Sequence, residues 1–161
     1  MHTYYLSLGA NLGDREKTLN RAIALLKAQH TLHVTAVSSL YETPPWGKTD
    51  QPVFLNMACA VETECSGLAL LKICQHIEQQ LGRVRHEKWG ARTIDIDIVY
   101  SKDSVSHTDI LEIPHPYMTQ RAFVLVPLRE IAPNLWIKEK PISYWLQQLP
   151  DAQDVKKLAI V

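Results

Sequence analysis

Neither charge sign is in excess in this chain: seventeen Lys and Arg side chains cancel seventeen Asp and Glu. With no global field to recruit nucleic acid or an anionic membrane, a charged ligand must be caught by a local cluster. Cysteine is scarce. Cys59, Cys65 and Cys74 are odd in number and show no C-x-x-C spacing, which argues against a secreted disulfide framework and predicts reduced thiols in core positions. Long apolar runs are missing too: none approaches the roughly 18 to 20 residues of a membrane span, and MHTYYLSLGANLG lacks the basic start and apolar stretch of a signal peptide. A soluble cytoplasmic protein is expected. No repeat, low-complexity tract or Gly/Ser linker interrupts the 161 residues, so one domain with an ordinary hydrophobic core is predicted.

The patterning is strongest in the first hundred residues. Residues 3 to 8 alternate as a strand and stop at Gly9, where GANLGD reads as a turn needing glycine freedom. Leu19, Ala22, Ile23 and Leu26 then mark one face of a helix that Asp14 can cap. Residues 32 to 41 alternate again, ETPPWGKTDQP (42 to 52) is loop, and VFLNMACAV resumes a strand. Ser66 is the N-cap for a second helix carrying Leu70, Leu71, Cys74, Ile77 and Leu81 and ended by Gly82. After the loop RVRHEKWGAR comes the strand TIDIDIVY. Strand, helix, strand, strand, helix, strand is the ferredoxin-like α+β order: an antiparallel sheet with both helices on one face and the other face open. Extra C-terminal helices are predicted near Thr119 to Phe123, across Leu125 to Ile131, and around Ser143 to Gln148, the last packing outside the core.

The strand TIDIDIVY is where chemistry first shows. Ile94, Ile96 and Ile98 fall on one face, Asp95 and Asp97 on the other, with Cα atoms about 6.5 Å apart. Two carboxylates so close repel or share a proton unless a cation lies between them, and Mg²⁺ takes such oxygens while keeping waters for a phosphate ligand. Alone, the pair reads more readily as a solvated acidic face. The preceding loop changes the balance, because Arg83, Arg85, His86, Lys88 and Arg92 adjoin it and arginine forks suit phosphate oxygens. The alternative is a surface ion-pair network worth little. Trp89 between Lys88 and Gly90 is either a core aromatic or a lid over ligand. No Walker A motif occurs, and GANLG lacks its lysine.

A second cluster lies around YETPPWG and VFLNMA. Phe54 and Asn56 face the same side, and an amide can pair with a heterocycle's edge while an aromatic stacks on its face; Asn56 can also serve simply as a sheet residue. PHPYMTQRAF adds His115, Arg121 and Phe123, read otherwise as a Pro-braced turn into a helix. His30 and His33 form only a lone H-x-x-H pair, discounted as a metal site.

These residues carry a resemblance. KWGARTIDIDIV, LGANLGD, SSLYETPPWG, QPVFLNMACAVET, IEQQLGRVR and IPHPYMTQRAFVLVPLREIAP together resemble, in order and through Pro133, the 6-hydroxymethyl-7,8-dihydropterin pyrophosphokinases of folate biosynthesis. The resemblance implies that residues 1–161 are a single pyrophosphokinase domain of ferredoxin-like fold. Such a domain would move pyrophosphate from ATP to the pterin alcohol and release AMP. Asp95 and Asp97 would hold two Mg²⁺ ions, and Arg83 and Arg92 would stabilise charge on the transferred group, with Trp89 closing the loop. The pterin would lie between Phe54 and Phe123, its edge read by Asn56 and by backbone around Thr43, Pro44 and Trp46. Glu78, the Ile98 backbone, His115 and Arg121 would serve ATP. The chain departs from the family pattern at Ala10, Trp46 and Tyr117, and Ile110 and Glu112 stand where some members place nucleotide contacts, so no adenine contact is expected there.

The rival class is an RNA-binding module, which shares the element order and exposes aromatics on its sheet. Net charge zero, the missing K/R-G-F/Y-G/A-F-V motif and an acidic pair on the open face argue against it. A catalytically dead scaffold is disfavoured by the intact Asp95, Asp97, Arg83 and Arg92. The expected partners are therefore ATP and the pterin, with no nucleic acid or membrane, and the expected state is a monomer.

Overall fold

A computed structural model describes residues 1–11, 13–43, 53–82 and 94–158. The chain begins with β1 (His2–Ala10), α1 (Arg15–Lys27), β2 (Leu32–Val37), β3 (Tyr41–Thr43), β4 (Phe54–Thr63), α2 (Gly67–Gln80) and β5 (Asp95–Ser101). Two short hairpins, β6 (Ser106–His107) with β7 (Glu112–Ile113) and β8 (Trp136–Ile137) with β9 (Lys140–Pro141), flank α3 (Ala122–Ile131). Then come α4 (Ile142–Gln147) and β10 (Lys156–Lys157). The main sheet runs β10-β3-β4-β1-β5, with β2 also on β4, and every pairing is antiparallel. This is the ferredoxin-like order the sequence predicts.

Both caps form as read. The Asp14 carboxylate accepts from Lys17 N–H at 3.1 Å, and the Ser66 hydroxyl accepts from Ala69 N–H at 3.2 Å, each satisfying a first-turn donor that has no partner within its helix. Gly82 follows α2 at φ 88°, a conformation that costs a residue bearing a Cβ. The α1 stripe Leu19, Ala22, Ile23 and Leu26 and the α2 stripe Leu70, Cys74 and Ile77 bury against Leu6, Leu8, Met57, Cys59, Ile96 and Ile98. One sheet face and two helices thus close the first core.

Four expectations need correction. The sheet's second face is not open: α3 and α4 cover much of it, burying Tyr5, Ala58, Ala60 and Val99 with Val124, Leu125 and Leu128 in a second core. That core also holds Ile142 and Leu146 of α4, the helix expected outside it, because their apolar side chains have nowhere drier to go. The predicted strand over 32 to 41 divides at Ser38, whose hydroxyl accepts from Ala58 N–H and so replaces a ladder bond while the chain bends; strand then resumes at Tyr41 and runs two residues into the predicted loop, to Thr43. The two helices predicted from Thr119 to Ile131 are a 3₁₀ turn, Met118–Gln120, and the single helix α3.

The covering helix also removes the surface an RNA-recognition sheet would use. Tyr5 and Tyr41, two of the aromatics on that face, are 4% and 8% exposed.

Candidate active site

Pairing registers draw the site across the second face of the sheet. Gly9 lies opposite Asp95 on one side and Asn56 on the other, and Asn56 lies opposite Tyr41. At about 4.8 Å per strand, the Asp95 and Asn56 backbones stand about 10 Å apart with only a glycine between them. Asp97 lies in the next row, opposite Ser7. As the alternation predicts, Ile96 and Ile98 are buried while Asp95 is half-buried and Asp97 exposed.

Gly9 is therefore a strand residue rather than the turn residue the sequence suggests. A Cβ there would meet Asn56 Oδ1 at 2.8 Å, closer than real side chains approach. The turn needs Gly13 instead, at φ 65°. Beside the glycine, Asn56 is buried and donates from Nδ2 to Thr43 Oγ1 at 2.9 Å, which orients its amide. Phe54 begins the same strand on the same face as Asn56, opposite Thr43, and is half-buried. Phe123 enters from the start of α3, half-buried against the second core.

At the β5 end a cavity of about 330 Å³ gathers residues from three stretches of chain: Glu78 from α2, Asp95 and Asp97 from β5, and His115 and Arg121 from the segment before α3. Leu71 and Gln75 also line it. With Glu78 they repeat at i, i+4 and i+7 along α2, a stripe in which only Gln75 carries no expectation from the sequence. Glu78 is 4% exposed, and its Oε2 accepts from Ile96 N–H at 2.9 Å, so the carboxylate ties α2 to β5 between the two aspartates. Ile98 keeps its side chain in the first core.

A bulge places His115. Leu6 pairs with Ile98 and Tyr5 with Tyr100, which leaves Val99 as an extra residue, and the Val99 carbonyl accepts from His115 N–H at 2.8 Å. His115 Nδ1 accepts from Tyr117 N–H at 3.2 Å, an arrangement that assigns the proton of the neutral ring to Nε2. Burial first, then the neighbouring Arg121 charge, lower its pKa below the ordinary 6.5, against the opposing pull of Glu112. Arg121 stacks its guanidinium between two rings, 5.5 Å from the Tyr117 centroid and 5.8 Å from that of Phe123.

Glu78, Asp95, Asp97, His115 and Arg121 thus share one cavity, while Thr43, Phe54 and Asn56 lie across the sheet beyond Gly9. Pro44, Trp46, Arg83, Trp89 and Arg92, with Arg85, His86 and Lys88, lie outside the described residues. Among the described residues no group of three His, Cys, Asp or Glu is arranged to hold a metal ion. Two oxygen donors from a D-x-D pair nevertheless fit a hard cation such as Mg²⁺, which completes its shell with water and phosphate oxygens rather than with a full protein cage.

Comparison with known proteins agrees with this geometry. A model of the family described as 7,8-dihydro-6-hydroxymethylpterin-pyrophosphokinase matches residues 5–133. Among curated proteins, the chain is 46% identical over 145 residues to a 2-amino-4-hydroxy-6-hydroxymethyldihydropteridine pyrophosphokinase of Methylorubrum extorquens, covering 90% of this chain and 92% of that one. It is 48% identical over 127 residues to the Bacillus subtilis protein of the same name, covering 79% and 76%. The Haemophilus influenzae protein of that name is 38% identical over 157 residues, covering 97% and 98%. The fold is similar to a crystal structure of a triple mutant of Plasmodium falciparum HPPK-DHPS, with TM-score 0.77, 16% identity and 99% of this chain covered. The chain spans about half of that longer protein, 47% of its length.

Proposed function

The chain belongs to the 7,8-dihydro-6-hydroxymethylpterin-pyrophosphokinase family, and from that premise we propose how its residues divide the work. It is a diphosphotransferase that moves a pyrophosphoryl group to 6-hydroxymethyl-7,8-dihydropterin in folate biosynthesis. In our reading the donor is ATP. The pterin hydroxymethyl oxygen attacks the β-phosphorus, the bond from that phosphorus to the α,β-bridging oxygen breaks, and AMP leaves.

Asp95 and Asp97 would hold Mg²⁺, two ions in our reading, which would supply charge neutralisation at the phosphates. Glu78, buried and bonded to Ile96 N–H, keeps the β5 backbone in place beneath them. The Ile98 backbone lies on the nucleotide side, and so does His115, which presents an Nε2–H donor suited to a phosphate or ribose oxygen. Arg121, stacked between Tyr117 and Phe123, offers a fixed guanidinium fork to the same ligand. From the family resemblance, Arg83 and Arg92 are assigned to stabilising charge on the transferred group and Trp89 to the same ligands. On the other side of Gly9, the pterin ring lies between Phe54 and Phe123. Its edge is read by the Asn56 amide that Thr43 orients; Pro44 and Trp46 are assigned to the pterin from the family resemblance. With both substrates held this way, catalysis is mainly positioning and electrostatics.

We take residues 1–161 as one pyrophosphokinase domain, since its two cores share a single sheet, and as a monomer in the cytoplasm. In support of that compartment, all three cysteines are free thiols. Among the described residues no helix is long and apolar enough to cross a membrane.

The observation that carries the reading is the single cavity holding Asp95, Asp97, Glu78, His115 and Arg121, with a glycine-floored strip leading to Asn56. A coupled assay for AMP tests it. AMP release that requires both the pterin and Mg²⁺ is expected; release without pterin, or undiminished by chelator, would overturn the assignment of donor and metal.

A further inference from the structure

A single carboxylate outside the cavity joins the two walls assigned to the pterin. Glu130, near the end of α3, accepts three hydrogen bonds from the chain entering β3: Tyr41 Oη to Oε1 at 2.6 Å, and Ser39 N–H and Oγ to Oε2 at 2.9 and 3.2 Å. Strand pairing is interrupted there, since β2 ends at Val37 and β3 begins only at Tyr41, with Ser38 alone bonded to Ala58 between them. Tyr41 is opposite Asn56 in the register, and Thr43, two residues on, holds the Asn56 amide. The same helix carries Phe123 at its other end. The Tyr41 ring is buried in the second core with Val124, Leu125 and Leu128, so its hydroxyl reaches Glu130 from a fixed position. Lys157, opposite Tyr41 on β10, places a positive charge toward the same carboxylate.

We propose that Glu130 is a positioning residue for the pterin: by clamping Ser39 and Tyr41 to α3 it fixes the spacing between the Thr43–Asn56 amide and Phe123. This rests on the pterin assignment made above. Without the clamp, β3 spends part of its time displaced from α3, and apparent affinity falls by the fraction of molecules that remain competent. Of the nucleotide side, β5, α2 and the Val99 bulge take no bond from Glu130, and Arg121 caps the far end of α3, which stays in place when β3 is released.

Steady-state kinetics of the full chain test this, with pterin and MgATP varied separately for wild type, Glu130→Ala, Glu130→Gln and Tyr41→Phe. Glu130→Ala is expected to raise the pterin KM about fivefold, the factor one ordinary hydrogen bond supplies, with the ATP KM within about twofold of wild type. Glu130→Gln keeps an oxygen for Tyr41 but opposes an amide nitrogen to Ser39 N–H, so its pterin KM falls between the two. Tyr41→Phe removes only the 2.6 Å bond and shifts the pterin KM in the same direction, which keeps the test available if Glu130→Ala fails to fold. An unchanged pterin KM, or equal rises in both KM values with a lowered Tm, overturns the proposal, because β10 would then hold β3 unaided or the role would be stability alone. A wild-type chain that releases no AMP with pterin overturns the functional reading instead.

Discussion

Replacing Gly9 by alanine probes the strip between the metal-binding and pterin-reading residues with one methyl group. Of the atoms the new Cβ would meet, the Leu55 carbonyl oxygen at 3.8 Å is at ordinary contact distance, and only Asn56 Oδ1 at 2.8 Å is too close. The strain therefore falls on the end of a rotatable side chain. To escape, the amide must turn and stretch its 2.9 Å bond to Thr43 Oγ1 in a position only 4% exposed. Losing a neutral hydrogen bond costs about 0.5 to 1.5 kcal/mol, while Gly→Ala in a compatible backbone returns about 0.4 to 1 kcal/mol through the unfolded chain. The two nearly cancel, so Gly9→Ala is expected to lie within about 1 kcal/mol of wild-type stability. In an Asn56→Ala background the clash is gone and only the gain remains. Urea unfolding of wild type, both single variants and the double variant should therefore show a coupling of about 1 kcal/mol between positions 9 and 56. Function responds more than stability: with the strip filled and the amide turned, the pterin KM should rise about tenfold or more, equivalent to about 1.4 kcal/mol, while the ATP KM holds. Additive stabilities, or an unaltered pterin KM in Gly9→Ala, would refute the placement of the pterin beside Gly9.

Asp97→Ala removes an exposed side chain, so its unfolding free energy in urea should stay within about 0.5 kcal/mol of wild type while AMP release is abolished; a variant with near-native turnover removes Asp97 from the metal site. His115 yields a pH prediction. Because burial and Arg121 hold its pKa below 6.5 in the folded protein, the unfolded chain takes up the proton first as pH falls. Its contribution to stability is complete above pH 6.5, declines as pH falls from there to the folded value, and then levels off. The drop in urea midpoint between about pH 7.5 and pH 5.5 should be smaller in His115→Asn, and an identical drop in both proteins contradicts the lowered value.

Much of the site was legible because local periodicity fixes it. D-x-D in an isoleucine strand sends both carboxylates to one face whatever the strand packs against, and Asp14 and Ser66 cap their helices through bonds spanning three residues. The block order through Pro133 carried the family, and with it Glu78, His115 and Arg121, which no spacing rule would have joined. Long-range pairing was not legible. Gly9 read as a turn because glycine is common in turns; its place between Asp95 and Asn56 depends on which strands flank β1. Gln75 and Leu71 looked like any helix positions until α2 packed beside β5.

By itself the sequence determined the strand and helix order, the caps, the paired aspartates and the chemistry the family blocks imply, because each is written in neighbours a few residues apart. Only the tertiary structure decided that α3 closes the second face, that a bulge at Val99 brings His115 to the aspartates, and that Glu130 reaches Tyr41 and Ser39 across 89 and 91 residues. Those contacts arise when two cores bury their apolar faces on one sheet. The polar partners are then set by how the layers meet, which residue spacing does not encode.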